Sequence, residues 1–153
     1  MKPSPYRLNL SIYPHHTVIE PRFGDMDPLH HLNNVALAGI YEEGRVRFNS
    51  ALSAPRMLEK GDRLVIAEIT IRYLAEGQYP GDLTVGAGVL KVGGSSYVIG
   101  QGLFQGGRCI GVCDTVLVNT ADHRPHALPD LFRTALAARL IAEPNTVDPT
   151  LLA

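Results

Sequence analysis

Between Val35 and about Leu52 the apolar positions recur at helical spacing. Leu37, Ile40, Tyr41, Phe48 and Leu52 fall on one side, and Glu42, Glu43, Arg45 and Arg47 on the other. Gly39 and Gly44 each weaken such a helix by ~1 kcal/mol relative to Ala. Glycine at these positions predicts a surface packed closely on the helix, as a sheet wrapped around it would be. From Arg63 the period shortens to two. In 63–74, Val65, Ala67, Ile69, Ile71 and Tyr73 alternate on one face, and in 83–91 Leu83, Val85, Ala87 and Val89 do the same. Two more strand-like runs follow at 95–105 and 108–119, separated by Gly106-Gly107, with Gly93-Gly94 before them. Tyr79-Pro80-Gly81-Asp82 reads as a turn. Three hairpin connections in sequence predict a four-stranded antiparallel meander.

The flanks are less regular. Residues 1–14 carry Pro3, Pro5 and Pro14 and read as a flexible N-terminal arm. The stretch 17–24 has strand character, but Pro21 cannot donate to a ladder, which predicts an edge strand or a bulge. Residues 25–34 are polar and turn-rich, ending in Asn33 and Asn34, either of which suits the N-cap of the long helix. After the loop 121–127, residues 129–141 read as a short amphipathic helix with Pro129 near its first position, and 142–153 as a C-terminal tail. The order strand, long helix, four strands, short helix predicts an α+β domain over 15–141, with one antiparallel sheet and one central helix. Strands of this length can curve around a helix.

Composition narrows the partners. The chain has 153 residues, of which 45% are hydrophobic and 19% charged, with a net charge of -1. That is the profile of one globular domain. The near-neutral balance argues against nucleic acid and against electrostatic docking on a membrane. No run approaches the ~20 apolar residues of a membrane span. Two cysteines, Cys109 and Cys113, lie four apart on one strand, too far to bridge and on a shared face, so they read as free buried thiols. With no signal-peptide pattern at the N-terminus, a cytoplasmic location is expected.

Phosphate-loop, dinucleotide-binding and hydrolase-elbow glycine motifs are absent. So are H-E-x-x-H and C-x-x-C, and His15-His16 and His30-His31 read as loop histidines rather than ligands, so no metal or cofactor is expected. The informative stretch is Arg22-Phe23-Gly24-Asp25-Met26-Asp27-Pro28-Leu29-His30-His31-Leu32-Asn33-Asn34. It places two carboxylates directly before a helix N-terminus, where unpaired N–H groups and the dipole hold an anion ionised and polarise a carbonyl. Together they could supply a nucleophile or base and an oxyanion hole. The same residues could equally be two aspartates capping a turn.

Phe23 to Pro28, His31-Leu32-Asn33-Asn34 and Tyr41-Glu42-Glu43-Gly44-Arg45 resemble the signature of hotdog-fold acyl-CoA thioesterases of the 4-hydroxybenzoyl-CoA thioesterase type. The resemblance spans about residues 15–120. It implies a hotdog fold, a long central helix wrapped by a curved antiparallel sheet. It also implies hydrolysis of an acyl-CoA thioester without a cofactor, and a homodimer or homotetramer with sites at the subunit interface. Carried across, Asp27 matches the catalytic carboxylate, the backbone N–H of Asn34 the carbonyl-polarising donor, His31 the motif histidine and Glu42 the helix acid. Pro28, His30, Asn33, Ser95 and Ser96 fall at positions expected to border substrate. The family glycine before the histidine is His30 here, an aromatic often found on the helix is Leu37, and Gly93, Gly94 and Ser95 stand where relatives carry phosphate-pairing cations, leaving Lys91 and Arg108 as nearby candidates. Other readings are an acyl-carrier-protein thioesterase, a hotdog protein that binds acyl-CoA without cleaving it, and a dehydratase-type hotdog. For assembly, the run 95–105 is expected to supply a pairing or packing surface.

Overall fold

The computed structural model describes residues 2–142. Strand β1 is His15–Ile19 and the long helix α1 is Asn34–Ala51, followed by the short α2, Ala54–Met57. Then come β2 (Arg63–Tyr73), β3 (Leu83–Val92), β4 (Ser96–Gln105), β5 (Arg108–Ala121), the two-residue β6 (Arg124–Pro125) and α3 (Asp130–Ala137). β1 ends before Pro21, and Phe23–Asp25 forms a 3-10 turn where strand was expected to continue.

One antiparallel sheet runs in the order β1-β3-β4-β5-β2. Only β3, β4 and β5 form a meander. β2 pairs with β5, with Ile71 opposite Cys113, so the expected hairpin between β2 and β3 is instead a crossing. Residues 74–82 are long enough to carry the chain across, and they begin with Leu74 and Ala75 both donating to Ile110 O, at 2.9 and 3.1 Å. β4 is therefore an interior strand, hydrogen-bonded on both sides, and not the pairing surface that its composition suggests. Among the described residues the outer edges belong to the short β1 and the long β2.

β3 shows why the sheet curls around α1. Leu83, Val85, Ala87 and Val89 are fully buried on the concave face. A Cβ at Gly44 of α1 would lie 2.6 Å from Val85 Cγ1, so this glycine lets helix and sheet touch, whereas Gly39 has open space around it. Intervening glycines of β3 and β4 face the convex side, where a Cβ at Gly86 would meet the Tyr13 ring at 2.7 Å and one at Gly100 the Arg7 guanidinium at 3.0 Å.

That convex side is covered by the segment expected to be a loose arm. Residues 5–8 and 10–12 form 3-10 turns, and Arg7 and Tyr13 are buried. Arg7 donates to Asp114 Oδ1 (2.8 Å) and, through Nε, to the Tyr13 hydroxyl (3.1 Å), which donates back to Arg7 O (2.8 Å). Burying a guanidinium is costly unless its charge and donors are met; Asp114 meets the charge, and the Tyr13 hydroxyl and Gln101 O share the donors with it. α3 packs Phe132 and Leu136 against β3, and residues 139–141 extend the β1 edge through Val89 N to Arg139 O and Ile141 N to Val89 O, each 2.8 Å. α3 is thus shorter than the expected 129–141 helix, with Pro129 as its N-cap. The tail expected over 142–153 lies, after Ala142, outside the described residues.

Three bulges interrupt the sheet, at Ala67, Leu90 and Ile110, and the first and last change faces expected from the sequence. In β2, Ile66 opposes Leu117 and Glu68 opposes Val116, leaving Ala67 extra. Val65 therefore faces away from Ile69, Ile71 and Tyr73, contrary to a simple alternation. In β5, Gly111 opposes Leu103 and Cys109 opposes Phe104. Cys113 joins the concave core and Cys109 the convex cluster with Tyr13 and Phe104, so the two thiols do not share a face. Both are free, and burial pushes both thiols up.

Candidate active site

The chain between β1 and α1 folds into two small turns. In the first, the Asp25 carboxylate accepts from Arg22 N (2.7 Å) and from the Arg22 guanidinium (3.1 Å). The Arg22 backbone bond is the main reason its carboxyl is held below the usual range; burial opposes it, and the guanidinium adds to it. Asp25 O accepts from Asn33 N (2.8 Å), which ties this turn to the start of α1. In the second, Asp27 N donates to His31 O and His30 N to Asp27 O, both at 3.0 Å, closing the loop into a narrow bridge between Met26 and Leu32. Asp27 Oδ1 accepts from Leu29 N at 2.9 Å. Oδ2 is left beside His31 Nδ1 at 3.6 Å, and His31 Nε2 lies 3.7 Å from Glu76 Oε1.

α1 begins where this loop ends. Asn33 is its N-cap and accepts from Val35 N at 2.8 Å. Among the described residues the Asn34 N–H has no acceptor, as expected of a first-turn donor. Tyr73 of β2 donates to Asn34 O at 3.2 Å, fixing the helix start against the sheet edge. Leu32 N donates to Gly77 O at 2.8 Å, and a Cβ at Gly77 would lie 2.9 Å from Leu32 Cδ1, so glycine lets the 74–82 crossing close onto the loop.

Between loop, helix start and crossing lies a cleft of about 470 Å³. Asp27, His31, Asn34, Leu37, Tyr73 and Glu76 contribute to its wall. The carboxylates of Asp27 and Glu76, the His31 imidazole and Asn34, whose N–H has no acceptor among the described residues, thus border one cavity, with leucines and Tyr73 on its other walls. That set can hold a polarised carbonyl at the N–H and deliver a carboxylate, or water bound to it, to the carbonyl carbon.

Comparison with known proteins decides the family: residues 21–136 match the Thioesterase-like superfamily. The chain belongs to that superfamily. A structure described as a predicted thioesterase from Bacillus stearothermophilus is 30% identical, with a TM-score of 0.75 over 85% of this chain and 98% of that one. A thioesterase from Thermus thermophilus, crystallised with coenzyme A and zinc, is 29% identical, with a TM-score of 0.72 over 81% of this chain and 98% of that one. A Pseudomonas aeruginosa protein at 23% identity shares the fold, with a TM-score of 0.76 over 88% of this chain and 96% of that one. No curated protein matches.

Within this thioesterase-like chain the residues singled out in the sequence part into two groups. Asp27, His31, Asn33 and Asn34 come together at the loop and helix start. Pro28 and His30 are on the same loop and do not line the cleft. His30 has a φ of 64°, the left-handed region that favours the glycine the resemblance leads one to expect there. Glu42 lies two turns along α1, with its side chain 70% exposed and 3.9 Å from the buried Arg45 guanidinium. Ile40, on the apolar side of α1, borders a shallow groove beside Arg22 and Asp25 rather than the Asp27 cleft. Ser95 and Ser96 stand at the opposite end of β4 from Gln105, whose amide bonds Gln78, a separation of roughly 30 Å along the strand. Lys91 is near that far end.

Glu76 and Tyr73 were not indicated by the sequence. Only their placement by the 74–82 crossing brings them to the cleft, and no local motif marks them. One group with metal-ligand geometry also exists, away from the cleft: Glu59, Asp62 and His126 offer atoms within 4.8 Å of one another. Asp62 is already engaged there, accepting from Glu59 N (3.1 Å) and contacting His126 Nδ1 (2.7 Å). These contacts latch the 53–62 and 121–128 loops together. No helix among the described residues is long and apolar enough to cross a membrane.

Proposed function

We propose that the protein hydrolyses acyl-CoA thioesters to the free acid and coenzyme A. The observation that carries this is the shared cavity of Asp27 and the acceptor-free Asn34 N–H. The thioester oxygen sits at the N–H, where the helix N-terminus stabilises the oxyanion that forms. Asp27 either takes the proton from a water that attacks the carbonyl carbon, giving the free acid directly, or attacks the carbon itself to form an acyl–Asp27 anhydride that water then hydrolyses; both routes pass through that oxyanion, which collapses with loss of the thiolate. His31, between Asp27 and Glu76, orients the carboxylate. The relative crystallised with coenzyme A supports a substrate of this class.

The acyl group we assign is neutral. The cleft wall carries Asp27 and Glu76 but no Lys or Arg, so it offers a carboxylated acyl chain no counter-charge. Leu32, Leu37 and Leu74 supply an apolar surface, worth ~0.8 kcal/mol per buried CH₂. We further propose that the working form is a homo-oligomer. The outer edge of β2 has no partner among the described residues, and Ile66, Ile69 and Tyr73 leave it an exposed apolar face. Free-thiol release from acetyl-, hexanoyl-, benzoyl- and malonyl-CoA tests the reading. It expects turnover that rises from acetyl to the larger neutral groups, with malonyl-CoA poor. Absence of turnover across the panel, or preference for malonyl-CoA, contradicts it.

A further inference from the structure

Tyr73 is the last residue of β2, and it belongs to two surfaces at once. It lines the Asp27 cleft, and it stands on the same face of the strand as Ile66, Ile69 and Ile71. α1 packs on β3 and β4 and leaves that face of β2 largely uncovered, so Ile66 and Ile69 are each 46% exposed. An apolar strip therefore runs along β2 from the cleft, yet none of the three isoleucines lines the cleft. The boundary between strip and cleft is Tyr73.

Two contacts hold the ring at that boundary. Its hydroxyl donates to Asn34 O at 3.2 Å, so the side chain spans the gap from β2 to α1. Opposite it on β5 is Gly111, where a Cβ would lie 2.6 Å from the Tyr41 hydroxyl. Tyr41 is 1% exposed and already fills the floor, so Tyr73, at 48%, stands up between strand and helix. Its anchor, Asn34, is also the residue whose N–H is assigned to the thioester oxygen. The ring is thus held at a fixed place relative to the reacting carbonyl.

We propose that Tyr73 sets the length of the acyl group, its ring being the end wall of the acyl pocket. This deepens the acyl-CoA reading above and rests on it. Leu32, Leu37 and Leu74 are side walls, which reward each added methylene. An end wall stops that gain at one length, because a longer chain must displace a packed ring. The latched ring also keeps the chain off Ile66 and Ile69, the apolar face assigned above to assembly.

The test is kcat/KM for acetyl-, hexanoyl- and dodecanoyl-CoA in wild type, Tyr73→Ala, Tyr73→Trp and, as a control on the open rim of the cleft, Leu29→Ala. Ratios between chain lengths within one variant cancel any general loss of activity. Wild type is expected to turn over dodecanoyl-CoA less well than hexanoyl-CoA. Tyr73→Ala should raise the dodecanoyl-to-hexanoyl ratio at least tenfold, Tyr73→Trp should lower the hexanoyl-to-acetyl ratio, and Leu29→Ala should move neither. A wild type with no fall at dodecanoyl, an unchanged ratio in Tyr73→Ala, or an equal rise in Leu29→Ala overturns the proposal. If Tyr73→Ala does not fold, Tyr73→Trp decides: an unchanged hexanoyl-to-acetyl ratio overturns it. Thiol release by wild type with unmoved ratios in the variants defeats the Tyr73 assignment alone, whereas no release at any chain length defeats the acyl-CoA reading and this assignment with it.

Discussion

The turn from Arg22 to Asp25 and the turn from Asp27 to His31 are neighbours that carry the same ionisable group and treat it differently. Asp25 spends both carboxylate oxygens on Arg22. Asp27 commits one oxygen to Leu29 N and presents the other to a cleft, beside an imidazole. The first turn bonds to Asn33 N and so sets where α1 begins; the second places its carboxylate in front of that beginning. A carboxylate whose bonds are all intramolecular stabilises structure, and one with a free oxygen in a cavity is available for chemistry. On the proposed function, the two aspartates at this spacing are one scaffold and one reactive group, a distinction set by which donors each can reach.

If this division of roles is correct, variants in the two turns should separate activity from stability. After Asp27 itself, the largest effect is expected at His31. His31→Gln should lower kcat by ~100-fold with little change in KM, and Glu76→Gln should give a smaller loss of the same kind. Steady-state kinetics at several pH values would check this, and a change confined to KM would remove His31 from the chemistry. Next comes Asp25→Asn, expected to cost about 1 kcal/mol of stability at pH 7 while kcat stays within a few-fold of wild type. Because the Asp25 carboxyl is held below its ordinary value of 3.8, its contribution is present above that pH and is lost as pH falls through the lower folded value. Denaturant midpoints of wild type and Asp25→Asn should therefore converge as the pH drops below 3.8. The smallest effect is His30→Gly. Removing a side chain from a φ of 64° should raise stability by up to about 1 kcal/mol and leave the acyl-group profile unchanged, since His30 does not line the cleft. A broadened profile would show that His30 reaches substrate after all.

The elements were legible in the sequence because each has its own period. α1 and the four long strands lie within a few residues of where their patterns place them. The connectivity was not, because a strand's hydrophobic pattern does not say which neighbour it meets, and 74–82 reads as a turn whether it closes a hairpin or crosses the sheet. The bulges at Ala67 and Ile110 were equally hidden, and each reversed a face assignment, at Val65 and at Cys109. The proline-rich start misled for another reason. It packs because glycines at 86, 100 and 102, far away in the chain, leave room for Tyr13 and Arg7. The 63–73 strand shows the converse, apolar in sequence and largely exposed in the single chain. At the site, Asp27, His31 and Asn34 were legible because they lie close together in the chain, while Glu76 depends on the crossing.

The central claim is that the free oxygen of Asp27 performs the chemistry in a cleft that binds acyl-CoA whether or not it can react. The direct measurement compares wild type with Asp27→Asn, recording coenzyme A affinity by calorimetry and single-turnover thiol release from hexanoyl-CoA on the same samples. The account predicts similar affinity, an unaltered circular-dichroism spectrum and thiol release slowed at least ~100-fold. Thiol release at the wild-type rate in Asp27→Asn, or a wild-type protein that binds coenzyme A and releases no thiol, would contradict it.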